Sequence, residues 1–419
     1  MKLRRSELGS LFTSPDFHWL AGIEDTFITA PSPKTGRTLD EYELTDHYER
    51  WESDVGLLAQ LGIRSARYGI PWHRINPQKG RWDFHWADEP LSKLLDLGIH
   101  PVVDLVHYGL PSWIDGAFSN PDLPKYMAEY ASRIAERFQG RIHAYTPLNE
   151  PRVTAWYCGK LGWWPPFKRG WRGFTSVMMG VCRGIVETSH ALLSVDPEIV
   201  LAHVDATDLY EGATPELAKE AAHRQDIVFL ALDLVSGRVN GAHALHGWLL
   251  RQGVSEDELV WFRERAVPLD MIGINLYPLF SDKRLVRTAG GLRTRMPYAS
   301  ANIVDRLADL YFQRYRRPIF VSETASEGSL ARRRAWLEDS VVAVSRVRAR
   351  GIPLVGYTWW PLFALVTWGY REGQKPPDFY LKQMGLWDLK STSRGLERVE
   401  TPLVDRYREL VAEGAPHVS

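Results

Sequence analysis

Apolar residues gather into short, often β-branched runs that alternate with longer stretches of helical periodicity. The run at 17–23, with Phe17, Trp19, Leu20 and Ile23, lies between Pro15 and Glu24-Asp25 and predicts a first strand. An amphipathic stretch at 46–61 ends at Gly62 and predicts a helix; 63–70 predicts the second strand, stopped at Pro71. A helix at 87–97 closes on Gly98, a strand follows at 99–106, and a helix at 123–138 closes on Gly140. The fourth strand begins at Ile142 and runs into Thr146-Pro147-Leu148-Asn149-Glu150-Pro151. Pro151 allows no continuation of a ladder and biases Glu150 away from helical angles, so an Asn–Glu pair stands at the C-terminal lip of that strand.

After an aromatic and basic loop at 163–171 come a helix at 174–193 and a strand at 199–205. Residues 209–268 read as two or three helices with no strand signal. A sixth strand spans 269–278, and a Gly- and Arg-rich loop or small hairpin 281–296. A helix through Tyr315 precedes the seventh strand at 318–323; a helix at 330–349, ended by Gly351, precedes the eighth at 353–361. The chain finishes with 379–388 and an amphipathic helix at 404–412. No short repeat or low-complexity linker interrupts it. Eight strand signals alternating with helices predict an α/β fold, a single (β/α)8 TIM barrel over 1–419. A doubly wound open sheet would want a Gly-rich phosphate turn after an early strand, and none is present.

Composition changes this picture little, with one exception. Formal net charge is zero, which argues against nucleic acid or an anionic membrane surface as partner. The exception is 17 Trp, a surplus that suits sites stacking flat, partly apolar ligands such as sugars. Cys158 and Cys182 fit no metal or disulfide spacing and read as small buried hydrophobes. Lys2, Arg4 and Arg5 are not followed by an apolar leader core, and no stretch reaches the ~18 apolar residues of a membrane span. The simplest expectation is a cytoplasmic protein; its oligomeric state is not legible.

Barrel chemistry is drawn from the C-terminal ends of strands. The polar groups there are Glu24 or Asp25, Arg67 and His73, His107, Asn149 and Glu150, His203 and Asp205, Asn275 and Tyr277, and Ser322 and Glu323, with Trp359 and Trp360 on the eighth. Glu150 and Glu323 each stand last before a chain break. Strands four and seven lie three apart in a ring of eight, so their lips can converge over the pore. Two carboxyls facing across a cleft are the minimum equipment for glycoside hydrolysis: one protonates the leaving oxygen, the other attacks the anomeric carbon or activates water. The blander alternative is a pair of ordinary salt-bridge partners. His203 and Asp205 have no third metal ligand near in sequence, which favours core or sugar-binding roles.

Tyr145-Thr146-Pro147-Leu148-Asn149-Glu150-Pro151 resembles the acid/base motif of family 1 glycoside hydrolases, and Ile319-Phe320-Val321-Ser322-Glu323-Thr324 resembles that family's nucleophile strand. Matches at 46–55, 66–75, 107–111, 272–277 and 385–388 follow in the same order, so the resemblance covers nearly the whole chain. It implies a divergent, β-glucosidase-like member of the family: a retaining β-glycosidase working by double displacement, with no cofactor and no metal. Glu150 would be the acid/base and Glu323 the nucleophile. Arg67 would favour the ionised form of Glu323. Asn149 would bond the sugar 2-hydroxyl, His107 another hydroxyl, and Tyr277 the nucleophile, with Trp360 as the floor. Glu24, Asn275 and Trp368 complete the expected substrate-binding set. The implied partner is a small-molecule or oligosaccharide β-glycoside. Two further readings remain, a transglycosylase or natural-product deglycosylating enzyme using the same pair, and a non-catalytic carbohydrate-binding barrel.

Departures from the family pattern concern the far wall of the sugar pocket. The first strand lacks the usual Gln, with Glu24 near its place; Thr367 occupies the slot of the sugar-gripping Glu ahead of Trp368; and Glu323 lacks its following Asn-Gly. These point to a deoxy sugar, a pentose or a sugar decorated at its far end. Arg371 and Lys375 read as solvated surface ahead of any role in reading an anionic sugar. The loop at 163–171 borders the aglycone, its Trp residues either stacking on ligand or packing against the rim.

Overall fold

A computed structural model describes residues 17–417. The N-terminal segment on which the leader expectation rests lies outside them. Among the described residues, eight parallel strands close into a barrel: β1 (His18–Gly22), β2 (Ser65–Gly69), β3 (His100–Asp104), β4 (Ala144–Thr146), β5 (Val200–Ala206), β6 (Met271–Asn275), β7 (Ile319–Thr324) and β8 (Leu354–Trp359). They stand in chain order around the ring, and β8 closes on β1 with Tyr357 opposite Trp19. Each is followed by a principal helix: α1 (His47–Gln60), α2 (His85–Asp96), α3 (Leu123–Arg137), α4 (Gly170–Val195), α5 (Ala218–Val235), α6 (Asn302–Tyr315), α7 (Leu330–Ala349) and α8 (Pro402–Glu413).

Strands buried on both faces need apolar residues at every position, which is why they read as runs rather than alternations. Leu20, Val102, Ala144, Val200, Val204, Met271, Phe320 and Val355 form one buried cluster, distinct from the larger core that includes Trp19, Val103, Tyr145, Leu201, Ile272, Val321 and Tyr357. Strand alternation assigns the first set to the barrel interior and the second to the layer under the helices. Helices begin where the sequence offers a cap: the Ser329 side chain accepts from the Arg332 amide at the start of α7, and that of Thr401 from the Leu403 amide at α8.

Two regions differ from expectation. Leu209–Gly212 is a strand, parallel to Asp282–Thr288 in a three-stranded sheet completed by Gly291–Arg295, so 209–268 is not wholly helical. The small hairpin expected within 281–296 is present, whereas that of Trp387–Thr392 and Gly395–Glu400 is unforeseen. The unforeseen strands are short and mostly part-exposed, and their pairing is a tertiary matter that local periodicity does not carry. At the opposite extreme, the helix expected at 330–349 is found with those bounds. No helix among the described residues is long and apolar enough to cross a membrane.

Candidate active site

The lip of β4 is built differently from the extended ending that Pro151 suggested. β4 ends at Thr146, and Glu150 adopts φ 48°, ψ 63°, in the left-handed region. Its backbone is pinned on both sides: its amide donates to the Val204 carbonyl (3.1 Å) and its carbonyl accepts from the Thr154 amide (3.0 Å). Pro151 opens a short helix, Pro151–Ala155, that widens into a π-helical turn at Trp156–Leu161. A bulky residue held at positive φ costs on the order of 1–3 kcal/mol, a strain that clusters at functional sites.

Glu323 is aimed by a different device. The register of β7 shifts between Val321 and Glu323 against β6, and between Val321 and Thr324 against β8. Such an irregularity re-aims a side chain at a strand end. Beside it, the Ser322 hydroxyl donates to Asn275 Oδ1 (2.6 Å), which turns the Asn275 amide nitrogen outward. That nitrogen donates to Glu150 Oε1 (2.8 Å) and to Asn149 Oδ1 (3.2 Å).

Arg67 joins the two halves. Its guanidinium, fully buried, donates to Glu323 Oε1 (2.7 Å), the Ser322 carbonyl (3.0 Å), Asp104 Oδ2 (2.8 Å) and Asn149 Oδ1 (3.2 Å). It also lies over the Trp360 ring, 4.7 Å from the centroid. The Tyr277 hydroxyl donates to Glu323 Oε2 (2.8 Å). A continuous path therefore links Glu150, Asn275, Asn149, Arg67 and Glu323, and the two carboxyls converge on one space. Burial pushes the Glu323 carboxyl up to about 8, with Arg67 pulling it down and the facing Glu150 pushing it further up. For Arg67, burial works against the charge, but Glu323 and Asp104 outweigh it and keep the guanidinium protonated.

The remaining expected residues gather at the same place. Asn149 Oδ1 is taken by two donors, so its Nδ2 faces His107 Nε2 (2.8 Å). His107 Nδ1 lies against Asp25 Oδ1 (2.6 Å) and Asp104 Oδ2 (3.3 Å); burial opposes charge on the ring, but these two carboxyls outweigh it and push the imidazole well above its usual range. Burial pushes Asp25 up to about 6, opposed by the imidazole beside it. Glu24 Oε2 accepts from the Trp360 indole nitrogen (3.0 Å), and Oε1 from the Thr26 hydroxyl (2.6 Å). Trp360 lies parallel to the His107 ring, centroids 6.0 Å apart. Trp368 packs edge-on against Tyr108, Tyr157 and Trp164.

Glu24, Asp25 and His107 are close enough to ligate a cation, their ligand atoms lying within 4.8 Å of one another. Their atoms are committed elsewhere: His107 Nδ1 to Asp25, Glu24 to Trp360 and Thr26. Asp25 Oδ2 is wedged so tightly against Gly69 that a Cβ there would meet it at 1.6 Å. The trio reads as an anchoring network. His203 and Asp205, by contrast, serve the scaffold: His203 bonds the Pro268 carbonyl (3.2 Å), Asp205 Oδ1 accepts from the Ala206 amide (2.8 Å), and neither hydrogen-bonds Glu150 or Glu323.

Arg371 overturns its expected role as solvated surface. It is fully buried and donates to the carbonyls of Ala30 (3.0 Å) and Trp163 (3.0 Å), stapling three loops, whereas Lys375 is exposed as expected. The loop at 163–171 divides its tryptophans. Trp164 is buried against Tyr157 and Tyr108, Trp171 packs on Trp156, Phe174 and Trp248, and Trp163 stays 53% exposed.

Sequence reasoning missed Asp104, Ser322 as a support, and Tyr108. Asp104 could have been noticed as a charge closing the apolar run of β3. Tyr108 sits in the His107-Tyr108-Gly109 motif, yet nothing local announces that its hydroxyl bonds Glu150 Oε2.

Fold and site together define a (β/α)8 barrel whose C-terminal mouth carries two buried, separately supported carboxyls. Residues 21–228 match the family model of glycosyl hydrolase family 1. The chain is 35% identical to β-glucosidase A of Thermotoga maritima over 143 residues, 32% of this chain and 31% of that one. The chain's alignments with the first four curated relatives span between 31% and 35% of their length. A bifunctional β-D-glucosidase/β-D-fucosidase of Bifidobacterium breve aligns more fully, at 24% identity over 93% of this chain and 92% of its own. The solved family 1 β-glucosidase from Thermotoga maritima shares the fold, with a TM-score of 0.82 at 19% identity over 97% of this chain and 99% of that one.

Proposed function

We propose that this chain is a retaining β-glycosidase that cleaves a β-O-glycosidic bond by double displacement. The observation that carries the reading is the unequal support of the carboxyl pair: Glu323 is paired with a cation, Arg67, while Glu150 receives only neutral donors, from Asn275 and Tyr108. The Arg67 ion pair opposes the effect of burial and favours the charged form of Glu323, while the neutral donors at Glu150 impose no such preference. Glu323 is thereby the nucleophile and Glu150 the acid.

In the first step Glu323 attacks the anomeric carbon as Glu150 passes its proton to the departing oxygen. In the second, Glu150 takes a proton from water, which displaces Glu323. A separation of about 5–5.5 Å between the carboxyls is what this chemistry asks for. Asn149, held by Arg67 and Asn275, faces the 2-hydroxyl. His107, whose Nε2 lies against the Asn149 amide, orients Asn149 toward that hydroxyl, and Trp360 forms the floor. Glu24 already receives the Trp360 and Thr26 protons. With Thr367 in place of a longer acid, the far wall grips the sugar less than in a strict glucosidase. A glycone without a 6-hydroxyl fits that wall, and the Bifidobacterium relative's name includes β-fucosidase.

The test is Glu323→Gly assayed with an aryl β-glycoside in the presence and absence of azide. Turnover lost without azide and regained with it, giving the α-glycosyl azide, is the expected result. Undiminished hydrolysis by the variant would remove the proposal.

A further inference from the structure

Tyr108 is set at φ 63°, in the left-handed region, and is fully enclosed. Gly109 makes that turn possible, because a Cβ there would lie 1.8 Å from the Phe27 carbonyl oxygen. Its ring stands edge-on to His107 (4.7 Å between centroids) and Trp368 (5.3 Å), and tilted against Trp164 (5.3 Å). So caged, the ring holds its hydroxyl where it donates to Glu150 Oε2 and accepts from Asn149 Nδ2 (3.5 Å). Burial and the neighbouring carboxylates push the phenol well above its usual range, so it stays protonated and donates.

We propose that Tyr108 is a positioning residue for the acid/base, its caged hydroxyl donating to Glu150 and stabilising the carboxylate that Glu150 becomes once its proton has gone to the leaving oxygen. The inference rests on the reading of Glu150 as acid/base. A hydrogen bond to a carboxylate is roughly twice as strong as one to a neutral acid. The bond therefore strengthens as the glycosidic C–O electron pair leaves with the departing oxygen and the Glu150 proton. A contact that strengthens on the way to the transition state accelerates the step. Tyr108 keeps its own proton throughout. Tyr277 stands in the same relation to Glu323, so each carboxyl has one phenol and one nitrogen donor. Only Glu323 has a cation, and only Glu150 has to change charge by proton transfer.

The test compares the full chain with Tyr108→Phe on aryl β-glycosides whose leaving phenols span a wide range of acidity. The expected loss is within about threefold for the most acidic phenols and about 10- to 100-fold for the least acidic. The basic limb of the kcat/KM profile should move to higher pH. Replacing Tyr108 by 3,5-difluorotyrosine, a stronger donor of the same shape, should move that limb the other way, which controls for misfolding. Equal loss across all leaving groups with an unmoved pH profile, or no loss at all, would overturn the inference. If the parent chain cleaves no β-glycoside, the proposed function fails. The Tyr108–Glu150 bond is then read without turnover, by ¹³C titration of the carboxyl resonance that Glu150→Gln removes. A displacement of that titration to higher pH in Tyr108→Phe supports the bond, and an unchanged one overturns it.

Discussion

A guanidinium sealed from solvent must find acceptors, and Arg67 finds Glu323, Asp104, Asn149 and the Ser322 carbonyl. A lysine cannot serve four acceptors with a planar fork. Arg67→Lys should lower kcat/KM by about 10²- to 10³-fold and destabilise the fold by about 3–5 kcal/mol, the cost of leaving a buried carboxylate unpaired. Steady-state kinetics and urea unfolding check the two effects separately; unchanged values in both would show that the fork is dispensable. Glu150→Ala should lose about 10²- to 10⁴-fold on a poor leaving group and much less on a dinitrophenyl glycoside. Glu150, Glu323, Asn149 and Asn275 were legible because each is a polar residue ending or following an apolar run. Asp104, Ser322 and Tyr108 act on other side chains rather than announcing themselves, so only the packed structure reveals them.

Among the elements, strand identity followed from uninterrupted apolar runs, and helix ends from capping residues. The strand at Leu209 escaped because its pairing partner, Asp282, lies far away in sequence, and the hairpin at 387–400 because its strands are short and partly exposed. Loop conformation was legible only in part. The strand stops at Thr146, ahead of Pro151, and the left-handed Glu150 is set by a hydrogen bond to β5 and one from the following helix. The turn at Tyr108 depends on the missing Cβ of Gly109, so Gly109→Ala should lower stability by about 3 kcal/mol or more, visible in thermal melts. On β5, burial depresses His203 from 6.5 to about 4. A depressed folded-state value means its contribution is complete above about 6.5 and is lost as the pH falls toward 4, at about 1.4 kcal/mol per unit. His203→Gln keeps a donor for the Pro268 carbonyl and should flatten the stability loss across that window. An equal loss in parent and variant would assign acid sensitivity to other groups.

At the scale of the whole molecule, the barrel brings together side chains from every part of the chain, from Glu24 to Trp368, and no segment could hold this site alone. On the proposed reading the carboxyl pair keeps the family pattern, while the wall facing the far end of the sugar departs from it at Glu24 and Thr367. Across nitrophenyl β-glycosides of the gluco, galacto, fuco, xylo and glucurono series, kcat/KM for the fucoside should equal or exceed that for the glucoside. A strong preference for the glucoside would mean that the 6-hydroxyl is gripped after all. With the preferred glycone known, its 2-deoxy-2-fluoro-β-glycoside bearing a dinitrophenyl or fluoride leaving group traps the first intermediate. Peptide mass spectrometry should then find one sugar per chain, attached to Glu323 and discharged by an added acceptor. A sugar on any other residue, or full hydrolysis with no trapped species, would contradict the account.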